Sequence, residues 1–304
     1  MRGVFVDASG SLADIFERQN RSGDPTVRVN CNADIKSEDM PALLDGAEIV
    51  VIDHTELPTD IAKRCKGLKH VVFLGTGARS YMNPEELAEL GITVHLIKGY
   101  GDTAVAECAI ALMWAAARGI AEMDREMRVG NWLREDGMQL TGKTLGLIGF
   151  GGIAAEVARI ALGSGMKVIA WNRSPRKFAG VEFVSLETLL AQSQVVSLHL
   201  LLTDETRGFL TRERIKAMKP GVILINTARG AVVDEDAMIE ALKSGHIHHA
   251  GLDVFDIEPL PVDHPLTRIP NVTLSAHSAF RTPEASENLI HAAWEHCRRI
   301  AGGG

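Results

Sequence analysis

Three short segments of the 304-residue sequence present an arginine, a carboxylate and an imidazole, each just after a run of β-forming residues. They are Asn226-Thr227-Ala228-Arg229-Gly230, Gly251-Leu252-Asp253-Val254-Phe255-Asp256-Ile257-Glu258-Pro259, and Ser275-Ala276-His277-Ser278. A guanidinium clamps a carboxylate through two parallel hydrogen bonds. A carboxylate beside an imidazole favours its charged form, and a histidine so held donates a proton to a carbonyl oxygen as hydride arrives at the carbon. Taken singly, Arg229 reads as a surface ion-pair partner, Glu258 as a solvated loop acid and His277 as a satisfied strand-end histidine. Together they have the composition of a carbonyl-reduction site.

A fourth segment, Gly149-Phe150-Gly151-Gly152-Ile153-Ala154, follows the β-run 145–148 and opens a helical run, fitting G-x-G-x-x-(G/A). The first glycine permits a tight turn, and the second lets backbone approach a pyrophosphate. Small Ala154 lets helix and strand pack closely, while the N–H groups of Gly152 and Ile153 open the helix toward an anion. The same letters describe a tight strand-to-helix turn with no ligand, but the strand before, the helix after and the further strand units beyond favour a dinucleotide site. About 20 residues on, NAD sites carry an acid that takes both ribose hydroxyls. Here that place reads Trp171-Asn172-Arg173-Ser174, with no carboxylate to repel a 2′-phosphate and with Arg173 and Ser174 offering donors to one. The expectation is NADP, with NAD possible; the plainer reading of Arg173 is a solvated loop cation.

The elements that must carry these segments alternate. β-runs at 4–6, 27–29, 48–52, 70–74 and 93–96 are separated by helical patterns, the clearest at 60–65 and 84–90, the second capped by Asn83 with Pro84 in its first turn. A long helical stretch, 102–127, has a nearly all-round apolar body and belongs between layers. Six more runs follow, at 144–148, 167–171, 195–200, 222–226, 250–255 and 272–275. Strands joined through helices form parallel sheets, so the fold class is α/β with doubly wound sheets. Ligands then bind at the carboxyl ends of the strands, where all four segments lie. Gly302 to Gly304 read as a frayed end.

Composition excludes other classes. Lys plus Arg number 32 against 39 Asp plus Glu, a net charge of −7, which argues against a nucleic-acid partner. The four cysteines have no paired spacing, so neither a disulfide framework nor a zinc site is expected, and the thiols read as reduced and cytoplasmic. The longest apolar stretch, 108–117, is too short to span a bilayer, and the first residues do not resemble a leader, so no membrane association is expected. His246, His248 and His249 run from a turn into a strand, where alternation splits them between faces, so no metal is expected. Asp234 reads as a helix cap.

In order and approximate spacing these motifs resemble the D-isomer-specific 2-hydroxyacid dehydrogenases, which include glyoxylate/hydroxypyruvate reductases and phosphoglycerate dehydrogenases. The resemblance rests on 149–154, on Asn226 to Gly230 followed by Val232-Val233-Asp234, on 251–259 and on His277, and it covers nearly the whole chain. It implies two doubly wound domains, a Rossmann dinucleotide-binding domain (99–283) inserted in a flavodoxin-like substrate domain (1–98 plus 284–304), with the site in a cleft that closes on binding. It implies that Arg229 holds a small 2-oxo or 2-hydroxy acid, that His277 is the proton donor and Glu258 its partner. By the same resemblance Thr227, Ala228 and Asp253 contact the nicotinamide end, and the chain is a homodimer, through 102–127. In place of the family's G-x-G-x-D-N substrate loop the chain has Gly75-Thr76-Gly77-Ala78-Arg79-Ser80. The amides of Gly77 and Ala78 remain as carboxylate ligands, while Arg79 replaces an acid and reads as a surface residue more readily than as a phosphate ligand. Cys108 stands where histidine is common. The expected activity is NADP-preferring reduction of glyoxylate or hydroxypyruvate. The competing readings are a phosphoglycerate dehydrogenase-like enzyme and a non-catalytic NAD(P)-sensing protein.

Overall fold

The computed structural model describes all residues except Ser9, Ala33, Gly303 and Gly304, so most of the terminal glycine run lies outside the described residues. The chain divides into two units, Met1–Gly101 with Arg281–Gly304, and Asp102–Phe280. The boundaries expected from sequence fall at 98/99 and 283/284.

In the first unit β1 (Arg2–Phe5), β2 (Thr26–Val29), β3 (Ile49–Ile52), β4 (His70–Phe73) and β5 (Thr93–Leu96) form an all-parallel sheet in the order β2-β1-β3-β4-β5. Side chains alternate between faces along each strand, and here both faces are covered. Val4, Val50, Ile52, Val71 and Phe73 enter one core, while Phe5, Ile49, Val51, Val72 and Leu74 enter the other. This is why the strands read as unbroken apolar runs. The second core is closed by two helices from opposite ends of the chain. Trp294, on the Pro283–Ala301 helix, stacks on Phe16 of the Gly10–Arg18 helix at 4.3 Å between ring centroids, and its indole N–H donates to the Phe16 carbonyl at 2.9 Å. Arg298 clamps Asp24 with two bonds of 2.8 Å and holds that carboxyl below the usual carboxylate range.

The second unit holds β6 (Thr144–Ile148), β7 (Lys167–Trp171), β8 (Val181–Phe183), β9 (Val195–Leu198), β10 (Val222–Asn226), β11 (Ile247–Leu252) and β12 (Val272–Leu274). They pair in parallel in the order β12-β11-β10-β9-β6-β7-β8. The chain runs one way from β6 to β8 and the other way from β9 to β12, which makes the β6/β9 junction a topological switch point. The Asp102–Arg118 helix packs on one face, and Gly251 admits it: a Cβ there would meet Leu112 Cβ at 2.9 Å.

Two features depart from the sequence expectation. The second sheet has a seventh strand, β8, only three residues long with an exposed glutamate at its centre. The stretch read as one helix over 102–127 is two, Asp102–Arg118 and Ile120–Arg128, bent by 66°. Gly119 makes the break with φ +60, a left-handed conformation that glycine enters without steric cost. No single helix is long and apolar enough to cross a membrane among the described residues.

Candidate active site

Arg229 follows β10, Asp253 and Glu258 follow β11, and His277 follows β12, so three neighbouring strands deliver the candidate residues to one sheet edge. Asn226, the last residue of β10, shapes the first loop. Its side-chain amide donates to the Arg229 carbonyl at 2.9 Å, and its carbonyl accepts from the Ala228 amide at 3.0 Å. Gly230 is needed next, since a Cβ there would lie 2.0 Å from the Phe255 carbonyl carbon. The loops after β10 and β11 therefore lie backbone against backbone.

Glu258 has both carboxylate oxygens engaged. Oε1 accepts from the Phe255 amide at 2.9 Å, which fixes the side chain, and Oε2 lies 2.6 Å from His277 Nδ1. Against an ionised carboxylate, which only accepts, the imidazole nitrogen must carry the proton. This leaves Nε2 as the nitrogen free to exchange a proton with a ligand. His277 has φ +47, the one positive φ outside glycine among the described residues. A left-handed histidine is strained and persists where its surroundings over-determine it.

Asp253 supplies that over-determination. It is 1 % exposed, and its backbone carbonyl accepts from the His277 amide at 2.7 Å. Its carboxylate accepts from the Ser278 and Ala279 amides at 3.0 Å each and from the Ser275 hydroxyl. These bonds go to the turn that carries His277. Cys108 stands nearby as a neutral thiol, pushed up to about 11 by burial and by the Asp253 charge, so it offers no thiolate to the site.

The dinucleotide motif lies at the end of β6. Gly149 has φ +88, and a Cβ there would lie 2.5 Å from the His199 carbonyl oxygen. The loop is braced from β7: the Gly149 amide donates to the Trp171 carbonyl at 2.9 Å and the Phe150 amide to Asn172 Oδ1 at 3.0 Å. Asn172 also donates to the Ser174 carbonyl at 2.8 Å, so it supports the loop whatever else it touches. A Cβ on Gly151 would meet nothing within 4 Å, and Gly151 gives the Gly152–Gly163 helix no side-chain cap. Open space in front of uncapped helix amides fits a pyrophosphate, with Gly152 and Ile153 opening that helix. Thr227 adds a second sign of fit, because its buried hydroxyl has no partner among the described residues. Ala228 sits beside it in the Asn226-stapled loop.

Two residues at this edge were missed by sequence reasoning. Asp102, the first residue of the Asp102–Arg118 helix, abuts Gly152 so closely that a Cβ there would overlap its carboxylate, and burial pushes its carboxyl up. Glu205, from the loop after β9, pairs with Arg173 at 2.6 Å. No local pattern marks either one, since each is brought in by a different strand or helix. Of the remaining predicted residues, Gly77 and Ala78 belong to the first unit, in the turn after β4, and Arg79 there pairs with Glu85 at the surface.

Of the three clustered histidines, His249 is buried against the Thr273 hydroxyl, 2.9 Å away, and burial pushes it down to about 4. His246 bonds the Ile215 carbonyl and His248 is exposed. No group of three metal-ligating side chains is present among the described residues. Asp234 caps its helix by accepting from the Ala237 amide at 3.0 Å.

If Asp253 holds the His277 turn, Asp253→Asn should lower unfolding stability by about 1–3 kcal/mol, because an amide N–H₂ then faces buried backbone N–H groups. A urea denaturation midpoint unchanged from the parent protein would remove Asp253 from that role.

Comparison with known proteins agrees with this geometry. The profile of the family "D-isomer specific 2-hydroxyacid dehydrogenase, NAD binding domain" matches residues 110–279. A hydroxypyruvate reductase from Thermotoga maritima is 40% identical over 260 residues, covering 84% of this chain and 84% of that protein. A D-3-phosphoglycerate dehydrogenase from Archaeoglobus fulgidus is 38% identical over 247 residues, which cover 79% of this chain but only 47% of that protein. Among solved structures, an acyclic imino acid reductase in complex with NADPH and D-Arg superposes with a TM-score of 0.87 at 29% identity, over 100% of this chain and 98% of that one. A strand-end arginine, a histidine–glutamate pair and a dinucleotide loop on one parallel sheet, found in a sequence this similar, make the chain a member of the D-isomer-specific 2-hydroxyacid dehydrogenase family, NAD(P)-dependent oxidoreductases.

Proposed function

We propose that this oxidoreductase is an NADP-preferring reductase of small 2-oxo acids, with glyoxylate or hydroxypyruvate as substrate. The observation that carries the reading is the 2.6 Å contact between His277 Nδ1 and Glu258 Oε2 on the same sheet edge as Arg229. Bound nicotinamide supplies the hydride. His277 in its imidazolium form, which the adjacent Glu258 carboxylate favours, then gives the Nε2 proton to the carbonyl oxygen and keeps the Nδ1 proton bonded to Glu258. Arg229 takes the substrate carboxylate, for which a planar guanidinium has the matching fork geometry. Thr227 and Ala228 meet the nicotinamide end, and Asp253 serves through the turn it holds.

The NADP preference rests on Asn172 standing where an acid would bind the ribose, followed by Arg173 and Ser174. The resemblance to hydroxypyruvate reductase supports a small, unphosphorylated substrate. The alternative, a phosphorylated 2-hydroxy acid, has the phosphoglycerate dehydrogenase relative in its favour. A purely nucleotide-sensing protein needs no proton donor, so the paired histidine favours turnover. All four cysteines are free, which supports a reducing, cytoplasmic setting.

Self-association belongs to the same proposal. Ile120, Met127, Val129 and Trp132 are 52%, 56%, 73% and 73% exposed along and just after the Ile120–Arg128 helix. An apolar row of this kind marks a contact surface. Light scattering should give twice the monomer mass, and a monomer across the concentration range would reject the assignment.

Initial rates of NADPH and NADH oxidation with glyoxylate, hydroxypyruvate, pyruvate, phenylpyruvate and 3-phosphohydroxypyruvate test the activity. The highest kcat/KM is expected for NADPH with glyoxylate or hydroxypyruvate. Silence across the panel with NADPH binding intact would favour the sensing protein. His277→Asn should lower turnover by roughly 100-fold or more, the range for losing a general acid, with cofactor binding nearly unchanged. Undiminished turnover would take His277 out of that role.

A further inference from the structure

The Arg173–Glu205 pair is the feature at the dinucleotide edge that the proposed function leaves unused. Sheet order places the end of β6, with its glycine loop, between the ends of β7 and β9. Arg173 follows β7 and Glu205 follows β9, so the two side chains meet across the strand that carries the pyrophosphate loop. Arg173 Nη1 donates to Glu205 Oε2 at 2.6 Å. Glu205 is held on an ordered turn. The Thr203 amide donates to the Thr206 hydroxyl at 2.8 Å, the Arg207 amide donates to the Thr203 carbonyl at 2.9 Å, and the Thr206 hydroxyl reaches the Leu201 carbonyl.

The arginine on which a 2′-phosphate would depend is thus already occupied by a carboxylate of its own chain. The two side chains are 81% and 74% exposed, so water and salt weaken the pair and it exchanges readily. A phosphomonoester carries nearly two negative charges and three acceptor oxygens, which makes it a stronger partner for a guanidinium than one carboxylate. We propose that Glu205 is a specificity-determining residue: its carboxylate competes with the 2′-phosphate for Arg173 and so sets how strongly NADP(H) is preferred over NAD(H). The inference rests on the reading that Arg173 takes the 2′-phosphate. A 2′-hydroxyl has little to gain from a freed guanidinium, so releasing Arg173 acts on one cofactor only.

Equilibrium titration of the full chain with NADPH and with NADH, followed by reduced-nicotinamide fluorescence at fixed ionic strength, tests this without reference to turnover. Glu205→Gln keeps the side chain's shape and removes its charge. It should tighten NADPH by about two- to fivefold, the range corresponding to an exposed ion pair, and leave NADH unchanged. Arg173→Ala should weaken NADPH, and in that background Glu205→Gln should give no further tightening. If Glu205→Gln leaves the NADPH to NADH ratio unchanged or weakens NADPH while Arg173→Ala weakens it, the competitor role is wrong and the NADP reading stands. Should Arg173→Ala leave NADPH affinity intact, the NADP reading falls and this inference with it.

Discussion

A buried aspartate that accepts four hydrogen bonds, three at its carboxylate and one at its backbone carbonyl, is the constraint on which the candidate site depends. Asp253 directly follows β11, and its carboxylate and carbonyl together take bonds from Ser275, His277, Ser278 and Ala279. A side chain without a carboxylate of this length would leave the Ser278 and Ala279 amides without their partner. With those bonds made, the turn after β12 has one conformation, and in it His277 sits at φ +47 with Nδ1 directed to Glu258. The strain of a left-handed histidine is thus balanced by bonds that do not involve the imidazole at all. The ring is left with one nitrogen committed and one available.

Close backbone approach is the second recurring device. Gly230 and Gly149 each stand where a Cβ would collide with a main-chain atom of a neighbouring loop, at 2.0 Å and 2.5 Å. Both contacts join loops from different strands at the same sheet edge. The loop bearing Arg229 is pressed against the start of the Glu258 loop, and the pyrophosphate loop against the segment leading to Glu205. Removing side-chain bulk lets main-chain hydrogen bonds and steric contact hold the functional loops, whose own side chains remain free for ligands.

Much of this was legible in the residues because buried parallel strands announce themselves. Runs such as Ile49–Ile52 and Val222–Asn226 are apolar on both faces, and no other element of that length needs to be. Arg229, Glu258 and His277 were identifiable because each follows such a run, and the parallel topology sends all of those ends to one edge. Features set by contacts far apart in sequence were not legible. β8 is held by pairing with β7 and has little apolar pattern of its own, as Glu182 shows. The long helix breaks at Gly119 although helical residues continue beyond it, because glycine tolerates the left-handed turn that redirects the chain. The bonds that Asp253 makes were not legible, since they run to a turn more than twenty positions away. The carboxylate opposite Arg173 was invisible for the same reason, and the premise that no acid stands near that cation holds along the chain but not in space.

Sheet order also separates two tasks that one ligand would impose. The site's arginine, glutamate and histidine come from the ends of β10, β11 and β12, all on one side of β6, whereas Arg173 stands on the other side, after β7. Between them lie β9 and the glycine loop, the former sending Glu205 across the end of β6 toward β7. A substitution at the Arg173–Glu205 pair therefore alters charge at one end of the dinucleotide site without touching the hydrogen bonds that fix His277. The reverse also holds, since every bond to the Asp253 carboxylate and carbonyl comes from Ser275, His277, Ser278 or Ala279, just after β12. A doubly wound sheet in this way allows cofactor choice and proton transfer to change independently, through loops that share only the strand between them.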